Sequence, residues 1–263
     1  MLKQRVFTAL LLVPCVLLGI HFAPTSVLTV AIALIVLLTS LEWVLLIPIN
    51  QLLNRVSFIG VMGIGLIGAL SYPELWLGSL FLWLYLLLII VAYPKSDKWW
   101  AYRPIIGGFA VVLLPAFFIA SVKILQRQDG DLYFIYLLFL IWAADSGAYA
   151  AGKLWGAHKL IPLVSPGKTA EGLLGGLCAS GLIMLIGYWY FKPLNSLEWF
   201  GLSTLTVLLS VFGDLFISML KRHSGVKDTG HLLPGHGGLL DRLDSLIAAS
   251  PLFYIGLSQM QFS

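Results

Sequence analysis

Charged residues are scarce in this sequence. Asp, Glu, Lys and Arg together make up 11% of the 263 residues, and the mean hydropathy is +0.95. Soluble domains usually contain about 25% charged residues, so a soluble protein of this composition would expose apolar surface that it could not cover. The composition therefore excludes an ordinary soluble domain and predicts a polytopic integral membrane protein.

Cysteine is also rare, and a P-loop is missing. Cys15 and Cys178 lie inside apolar runs without a partner at a disulfide or metal spacing, so we expect two small buried side chains. Around Lys168 the sequence reads Gly-Lys-Thr, but Pro162 stands where a P-loop requires its first glycine, and we predict no strand before it. A P-loop nucleotide site is therefore excluded.

Long apolar segments fill most of the chain. A spanning helix needs about 20 mostly apolar residues, and its backbone must form its hydrogen bonds within the segment, which favours helices over strands. The first segment follows Lys3 and Arg5 and is compatible with a signal peptide, but the equally apolar segments after it favour an uncleaved span. We predict an all-α protein with about nine transmembrane helices, at roughly 6–23, 26–48, 56–72, 75–93, 104–122, 132–151, 172–191, 199–220 and 243–258.

The cations are distributed unevenly between the two ends of these helices. With nine spans, 13 of the 16 Lys and Arg residues lie on the side of the N-terminus, and only Lys123, Arg127 and Lys192 lie on the other. The positive-inside rule then places the N-terminus in the cytoplasm and the C-terminus outside. This topology and anionic lipid headgroups explain the net charge of +4, so we expect no nucleic acid partner.

Four aspartates lie inside or at the edges of the predicted spans: Asp145, Asp214, Asp241 and Asp244. Ionised groups at such depths are costly and are by default functional or paired with a cation. Asp241 and Asp244 share one helix face and could converge with Asp214 across a short loop. Mg²⁺ prefers oxygen ligands and usually takes one or two protein carboxylates plus substrate phosphates. The acids therefore favour a magnesium site over a zinc site.

Two polar segments on the predicted cytoplasmic side, 152–171 and 221–242, combine cations, hydroxyls and glycines. These groups form phosphate sites, and two-metal phosphoryl or nucleotidyl transfer fits them. A patch that binds lipid headgroups would explain the cations but not the interleaved aspartates. The residues alone also leave open a transporter, with Asp145 and Asp214 as an ion relay, and a lipid phosphatase.

The segment 218–244, SMLKRHSGVKDTGHLLPGHGGLLDRLD, resembles the signature of the phosphatidate cytidylyltransferases, or CDP-diacylglycerol synthases. It contains Ser-x-hydrophobic-Lys-Arg, Lys-Asp, Pro-x-His-Gly-Gly and Asp-Arg-x-Asp in that order. The segment 144–176 is similar to a second block of that family. The resemblance implies transfer of a cytidylyl group from CTP to phosphatidic acid, with CDP-diacylglycerol and pyrophosphate as products. It also implies Mg²⁺ dependence, with a second metal ion left open, a bacterial inner-membrane location, contact with membrane lipids and a homodimer.

On this resemblance we expect a single membrane-embedded catalytic domain over 1–263, with N-terminal helices to about 130 and catalytic helices and loops from about 131. Ile217 stands where the family usually has a second acid near Asp214, and Ala170 replaces a common tryptophan. Asp214 and Asp241 are the expected metal carboxylates. The expected catalytic residues are Lys221, Arg222, Lys227, Asp228, His236, Arg242 and Asp244, and the expected substrate-binding residues are Asp145, Ser165, Lys168, Thr169, Ser218, Gly237 and Gly238.

Overall fold

The structure is a computed structural model that describes residues 13–47, 52–230 and 237–262. Helices account for most of this length, and one short hairpin interrupts them. In chain order the elements are α1 (Val13–Phe22), α2 (Thr25–Leu46), α3 (Leu52–Ser71), α4 (Pro73–Leu77), α5 (Ser79–Val91), α6 (Asp97–Trp100), α7 (Arg103–Leu125), α8 (Gly130–Trp155), β1 (Lys159–Ile161), β2 (Ser165–Thr169), α9 (Ala170–Phe191), α10 (Ser196–His223) and α11 (Leu240–Gln259).

Seven helical segments of the described chain are long and apolar enough to cross a membrane. They correspond to the second to eighth predicted spans, with α4 and α5 together forming the segment Pro73–Val91. The first predicted span is described only from Val13, and the last, α11, begins with the charged sequence Asp241, Arg242 and Asp244. The prediction of an all-α polytopic membrane protein is confirmed.

Many large apolar side chains of these helices are exposed. Phe22, Leu53 and Phe81, for example, are 75%, 74% and 79% exposed. Such a surface is compatible with lipid and not with water. Cys15 and Cys178 are exposed as well, so the prediction that both are buried is wrong. The physical reason is that an apolar run in a membrane helix contains lipid-facing positions as well as core positions.

The chain divides into two compact units. The first comprises the described parts of 1–79, 100–135 and 220–243. Its centre is α7, which packs against α2, α3 and α4 and has buried residues along most of its length. Trp43 of α2 donates from Nε1 to the carbonyl oxygen of Ile106 at 3.1 Å, which fixes α2 against α7.

The second unit comprises 80–99, 136–219 and the described part of 244–263. Within it α8 and α9 approach so closely that a Cβ on Gly175 would lie 2.2 Å from the Cβ of Ala151. Small residues permit such close packing of membrane helices. Tyr136 stacks on Trp199 with ring centroids 4.9 Å apart and shares a 2.8 Å hydrogen bond with Ser203, which joins α8 to α10. The single catalytic domain over 1–263 stays a prediction.

A short antiparallel hairpin, β1 with β2, precedes α9, and Lys159 pairs with Thr169. Glu171 in the first turn of α9 accepts hydrogen bonds from the N–H groups of Ala157 and His158, which fixes the start of the hairpin. The prediction that no strand precedes Lys168 is therefore wrong. β1 has three residues, and β2 has five that include Pro and Gly. Both strands are too short to give a recognisable alternating pattern of apolar and polar residues.

Candidate active site

The site residues expected from the sequence fall in both units, and each group is described within its own unit. The first unit contains Lys221, Arg222, Lys227, Asp228, Gly237, Gly238, Asp241 and Arg242. The second contains Asp145, Ser165, Lys168, Thr169, Asp214, Ser218 and Asp244. His236 lies outside the described residues.

In the first unit, Asp241 is the focus of a hydrogen-bond cluster at the start of α11. Its Oδ1 accepts from Lys221 Nζ at 2.7 Å, and its Oδ2 accepts from the N–H groups of Thr229 at 2.9 Å and Gly238 at 3.1 Å. The Lys221 and Asp241 side chains are only 13% and 9% exposed. A charged pair this far from water is stabilised only when hydrogen bonds of this kind accompany the ion pair.

Asp241 precedes the predicted span 243–258, and two opposing effects act on its pKa. Burial, the larger single effect, raises the pKa of the carboxyl, whereas the Lys221 ammonium and the two backbone donors lower it. Together the donors prevail, so the pKa lies below the ordinary value for aspartate. Asp241 is therefore a carboxylate, the form that could bind a metal ion.

Glu42 of α2 is the buried acid that the sequence analysis missed. It is 4% exposed and accepts hydrogen bonds from the N–H groups of Leu239 at 2.9 Å and Leu240 at 2.7 Å, and from Thr229 Oγ1 at 3.4 Å. One acid in an apolar run is itself a signal, because ionisable groups within membrane helices are rarely without a role. The sequence Leu-Glu-Trp shows this isolated acid, but no recognisable motif around it indicates a function.

Four other expected residues of the first unit, all charged, face outward. Arg222, Lys227, Asp228 and Arg242 are exposed, which suits groups that contact a soluble polyanion. Gly237 adopts a positive φ of 82°, a conformation that favours glycine. The polar segment thus combines the largely buried Lys221–Asp241 pair with exposed charges that lie close to it in the sequence.

In the second unit, Lys168 and Asp214 form the corresponding pair. Lys168 Nζ lies 2.7 Å from Asp214 Oδ2 and also donates to the carbonyl oxygen of Val211 at 3.3 Å. Ser218, one helical turn after Asp214, donates from Oγ to Asp214 Oδ1 at 3.2 Å. The hairpin that the sequence did not predict is the element that presents Lys168 to α10.

An apolar pocket of about 440 Å³ lies in the same unit. The hairpin, α9 and α10 contribute its walls, among them Leu163, Leu173, Val211 and Phe212. Val211 also accepts the hydrogen bond from Lys168, so the ion pair and the pocket share a wall. A charged pair next to an apolar pocket suits a ligand that has both an ionic and an apolar part.

The remaining expected residues of this unit have varied surroundings. Thr169 is 3% exposed, and its Oγ1 accepts the N–H of Gly172 at 3.0 Å, which caps α9. Asp244 is 7% exposed, and its Oδ1 accepts the N–H of Ser245 at 2.7 Å. Asp145 is exposed on α8, and Ser165 begins β2. Ile217 is 2% exposed, so an apolar side chain fills the position of the acid that the family usually has.

Within the described residues, no three His, Cys, Asp or Glu side chains gather closely enough to hold a metal ion. The donor chemistry nevertheless suits magnesium, because Mg²⁺ is commonly bound by only one or two carboxylates together with substrate phosphates. Within the described residues, Asp214 accepts two hydrogen bonds and Asp241 three, whereas a carboxylate offers about four lone-pair sites. The donors of the described residues therefore do not fill all the lone-pair sites of either aspartate.

Comparison with known proteins finds similarity along nearly the whole chain. The family model "Cytidylyltransferase family" matches residues 3–260. A phosphatidate cytidylyltransferase of Haemophilus influenzae is 36% identical over 96% of this chain and 97% of its own length. One of Pseudomonas aeruginosa is 39% identical over 96% of both chains, and one of Staphylococcus haemolyticus is 49% identical over 51% of this chain and 52% of its own. The chain therefore belongs to the cytidylyltransferase family.

Proposed function

We propose that this protein transfers the cytidylyl group of CTP to phosphatidic acid in a bacterial inner membrane, forming CDP-diacylglycerol and pyrophosphate. The observation that supports this most directly is the Lys168–Asp214 pair, which shares Val211 with an apolar pocket of about 440 Å³. Lipid phosphate is a ligand with both an ionic and an apolar part. The relatives named phosphatidate cytidylyltransferase provide the reaction type.

The proposed reaction needs no general base. An anionic oxygen of the phosphatidic acid phosphate attacks the α-phosphorus of CTP, the bond from that phosphorus to the bridging oxygen breaks, and pyrophosphate leaves with the electron pair. The difficulty is that two polyanions must approach each other, so the protein has to supply positive charge. Lys168, Lys221, Arg222, Lys227 and Arg242 are the cations proposed for this purpose.

Each of the two buried or half-buried lysines is held by a carboxylate at 2.7 Å. An arriving phosphate oxygen can replace that carboxylate as the partner of the ammonium group, so the lysines are already positioned as donors. Asp214 and Asp241 are each proposed as a carboxylate ligand of Mg²⁺, which when bound would neutralise charge on the CTP phosphates. Ser165 and Ser218 are proposed to donate hydrogen bonds to phosphate oxygens. Asp145, Asp228 and Asp244 are proposed as further ligands or as partners of the cations.

The cytoplasm is the proposed side of the reaction, because CTP is cytosolic and 13 of 16 cations lie on the side of the N-terminus in a nine-span topology. A homodimer is proposed from the family resemblance alone.

The test uses purified protein in detergent with phosphatidic acid, CTP and Mg²⁺, and measures lipid nucleotide and pyrophosphate together. Asp214→Asn and Asp241→Asn are expected to lower kcat by about 100-fold or more, because each removes a charge that the transition state requires. Asp129→Asn is the matched control, since Asp129 is exposed with φ 54°, a conformation that asparagine also tolerates. Folded wild-type protein that forms no lipid nucleotide would refute the proposal.

A further inference from the structure

Glu42 occupies an unusual position for an acid. It lies near the end of the apolar helix α2, 4% exposed, and the described residues supply three uncharged donors to its two oxygens. These donors come from Thr229, Leu239 and Leu240, which are 187 to 198 residues away in the sequence. A buried carboxylate is costly unless it is hydrogen-bonded. The presence of a buried carboxylate in this apolar helix therefore indicates a specific role for Glu42.

The first of the connections made by Glu42 is to the start of α11. The first N–H groups of a helix have no partner within the helix, and an apolar residue such as Leu239 cannot cap them with its side chain. Glu42 accepts from Leu239 with Oε1 and from Leu240 with Oε2. A carboxylate from α2 therefore replaces the missing cap of α11.

Two glycines of the polar segment fit around the same carboxylate. A Cβ on Gly230 would lie 2.5 Å from Glu42 Oε1, and its three nearest atoms would all belong to Glu42. A Cβ on Gly238 would lie 2.6 Å from Glu42 Oε2 and 2.4 Å from Thr229 Oγ1. Both distances are far below van der Waals contact. The lack of side chains at these positions is thus explained by the approach of the backbone to Glu42.

The residues that enclose Glu42 are also those that orient Asp241. Thr229 contacts Glu42 with its hydroxyl and donates its N–H to Asp241 Oδ2 at 2.9 Å. Gly238 packs on Glu42 and donates its N–H to Asp241 Oδ2 at 3.1 Å. Asp241 itself lies one residue after Leu240 in the first turn of α11. The orientation of the Asp241 carboxylate therefore depends on groups that Glu42 holds in place.

We infer that Glu42 is a positioning residue, which sets the start of α11 and the loop at Thr229 and Gly238 so that Asp241 faces the reacting phosphates. This inference rests on the proposed cytidylyl transfer for its effect on the reaction. It also changes the expected role of Gly238, whose N–H orients Asp241 and whose missing side chain makes room for Glu42, so that contact with substrate is not needed to explain it.

The first test substitutes Glu42→Gln, which preserves the shape but replaces one acceptor oxygen by an NH₂ group that cannot accept a hydrogen bond. One of the two N–H groups at the start of α11, that of Leu239 or that of Leu240, then loses its partner. We expect kcat to fall between about tenfold and 100-fold and KM for CTP to rise, as for a displaced catalytic group. KM for phosphatidic acid should change by less than about twofold. A uniform loss of folded protein would instead lower the apparent kcat and leave both KM values unchanged.

Glu74→Gln is the matched control, because Glu74 is an exposed glutamate of the same unit in the first turn of α4. It should leave both KM values and kcat unchanged. Wild-type kinetics in folded Glu42→Gln protein would overturn the inference, as would a loss of kcat with no change in KM for CTP.

A second measurement does not depend on activity. In the wild-type protein, hydrogen exchange at Leu239 and Leu240 should be slower than in the exposed stretch 227–228, and Glu42→Gln should speed it by about tenfold or more. Fast exchange at Leu239 and Leu240 in the wild-type protein would overturn the inference even if no Glu42 variant folds. If the wild-type protein forms no CDP-diacylglycerol but shows the protection, the proposed function fails and the contact with α11 remains.

A pair of substitutions separates the steric contact between Gly230 and Glu42 from the role of Glu42 in positioning α11. Gly230→Ala alone should lower Tm, because its methyl group would collide with Glu42. Adding Glu42→Ala to Gly230→Ala should recover part of the lost Tm, because the collision is removed. It should not recover kcat, because the start of α11 still lacks the carboxylate that accepts from its N–H groups. Restored kcat in the double variant would contradict the positioning role.

Discussion

Asp214 and Asp241, the two aspartates expected to bind metal, each lie 2.7 Å from a lysine ammonium group. The Lys221–Asp241 pair is the more buried, at 13% and 9% exposed against 23% and 33% for Lys168 and Asp214. Removing one partner of a buried pair leaves an uncompensated charge, whereas an exposed pair contributes little. The two pairs should therefore differ in their effect on stability.

For Asp241, the asparagine variant retains an oxygen that can accept from Thr229 and Gly238 but presents no charge to Lys221. Asp241→Asn and Lys221→Met should therefore each lower the free energy of unfolding, with a coupling energy of roughly 0.5–3 kcal/mol in a double-mutant cycle. The equivalent cycle for Lys168→Met and Asp214→Asn should give a smaller value. Thermal unfolding in detergent measures both cycles, and equal coupling energies would contradict the difference in burial.

Both ion pairs show what the sequence could and could not predict about single residues. All four partners were identified from the residue types and the family resemblance, but as separate metal and phosphate ligands. Their pairing with each other depends on the fold. Glu42 was missed because its partners Thr229, Leu239 and Leu240 lie 187 to 198 residues away and share no sequence motif with it.

At the scale of elements, α8 and α9 are joined by glycines. A Cβ on Gly147 would lie 2.5 Å from both the Gly175 carbonyl oxygen and the Ala179 Cβ, and one on Gly176 would lie 2.7 Å from the Ala144 carbonyl oxygen. In lipid the hydrophobic effect does not drive helices to associate. Close packing of small residues instead stabilises the contact between α8 and α9. This contact holds Asp145 on α8 next to the helix that follows Lys168.

Gly175→Ala tests this contact. Because its methyl group would lie 2.2 Å from the Ala151 Cβ, the substitution should lower the free energy of unfolding by roughly 1–3 kcal/mol. Gly181→Ala on the same helix meets nothing within 4 Å and should be neutral or stabilising by up to about 1 kcal/mol, as expected for alanine in a helix. The measurement is the Tm of both variants in one detergent. Equal shifts in Tm would argue against close packing of α8 and α9.

Helix positions were the most predictable elements. Seven of the nine predicted spans correspond to helices of the described chain that are long and apolar enough to cross a membrane, because length and hydropathy together determine whether a segment can do so. The β1–β2 hairpin was not predicted, because Pro166 and Gly167 interrupt its second strand and the first has three residues. Which face of a run meets lipid could not be predicted either, as the exposed Cys15 and Cys178 show. That depends on neighbouring helices.

For the molecule as a whole, the distribution of cations predicts orientation. Lys159 lies in the hairpin between the predicted sixth and seventh spans, and Gln128 lies between the fifth and sixth, and both are exposed. The proposed orientation therefore places them on opposite sides of the membrane. The thiols of Cys15 and Cys178 would first be removed by substitution with serine and alanine.

In that background, Gln128→Cys should react with a membrane-impermeant maleimide in intact cells, and Lys159→Cys should react only after the membrane is opened. Each single-cysteine variant serves as the control for the other. Labelling of Lys159→Cys in intact cells, with Gln128→Cys protected, would reverse the proposed orientation. It would also separate the residues proposed to bind phosphate from cytosolic CTP.

The central claim is that the bond broken in CTP joins the α- and β-phosphates and that the lipid phosphate receives the cytidylyl group. The most direct measurement follows the radioactive label from CTP labelled at the α- or the γ-phosphate, with phosphatidic acid and the purified protein. We predict that the α-label is recovered in lipid and the γ-label in pyrophosphate, in equal molar amounts. Recovery of the α-label only in water-soluble products, or release of inorganic phosphate from the lipid without CTP, would contradict the account.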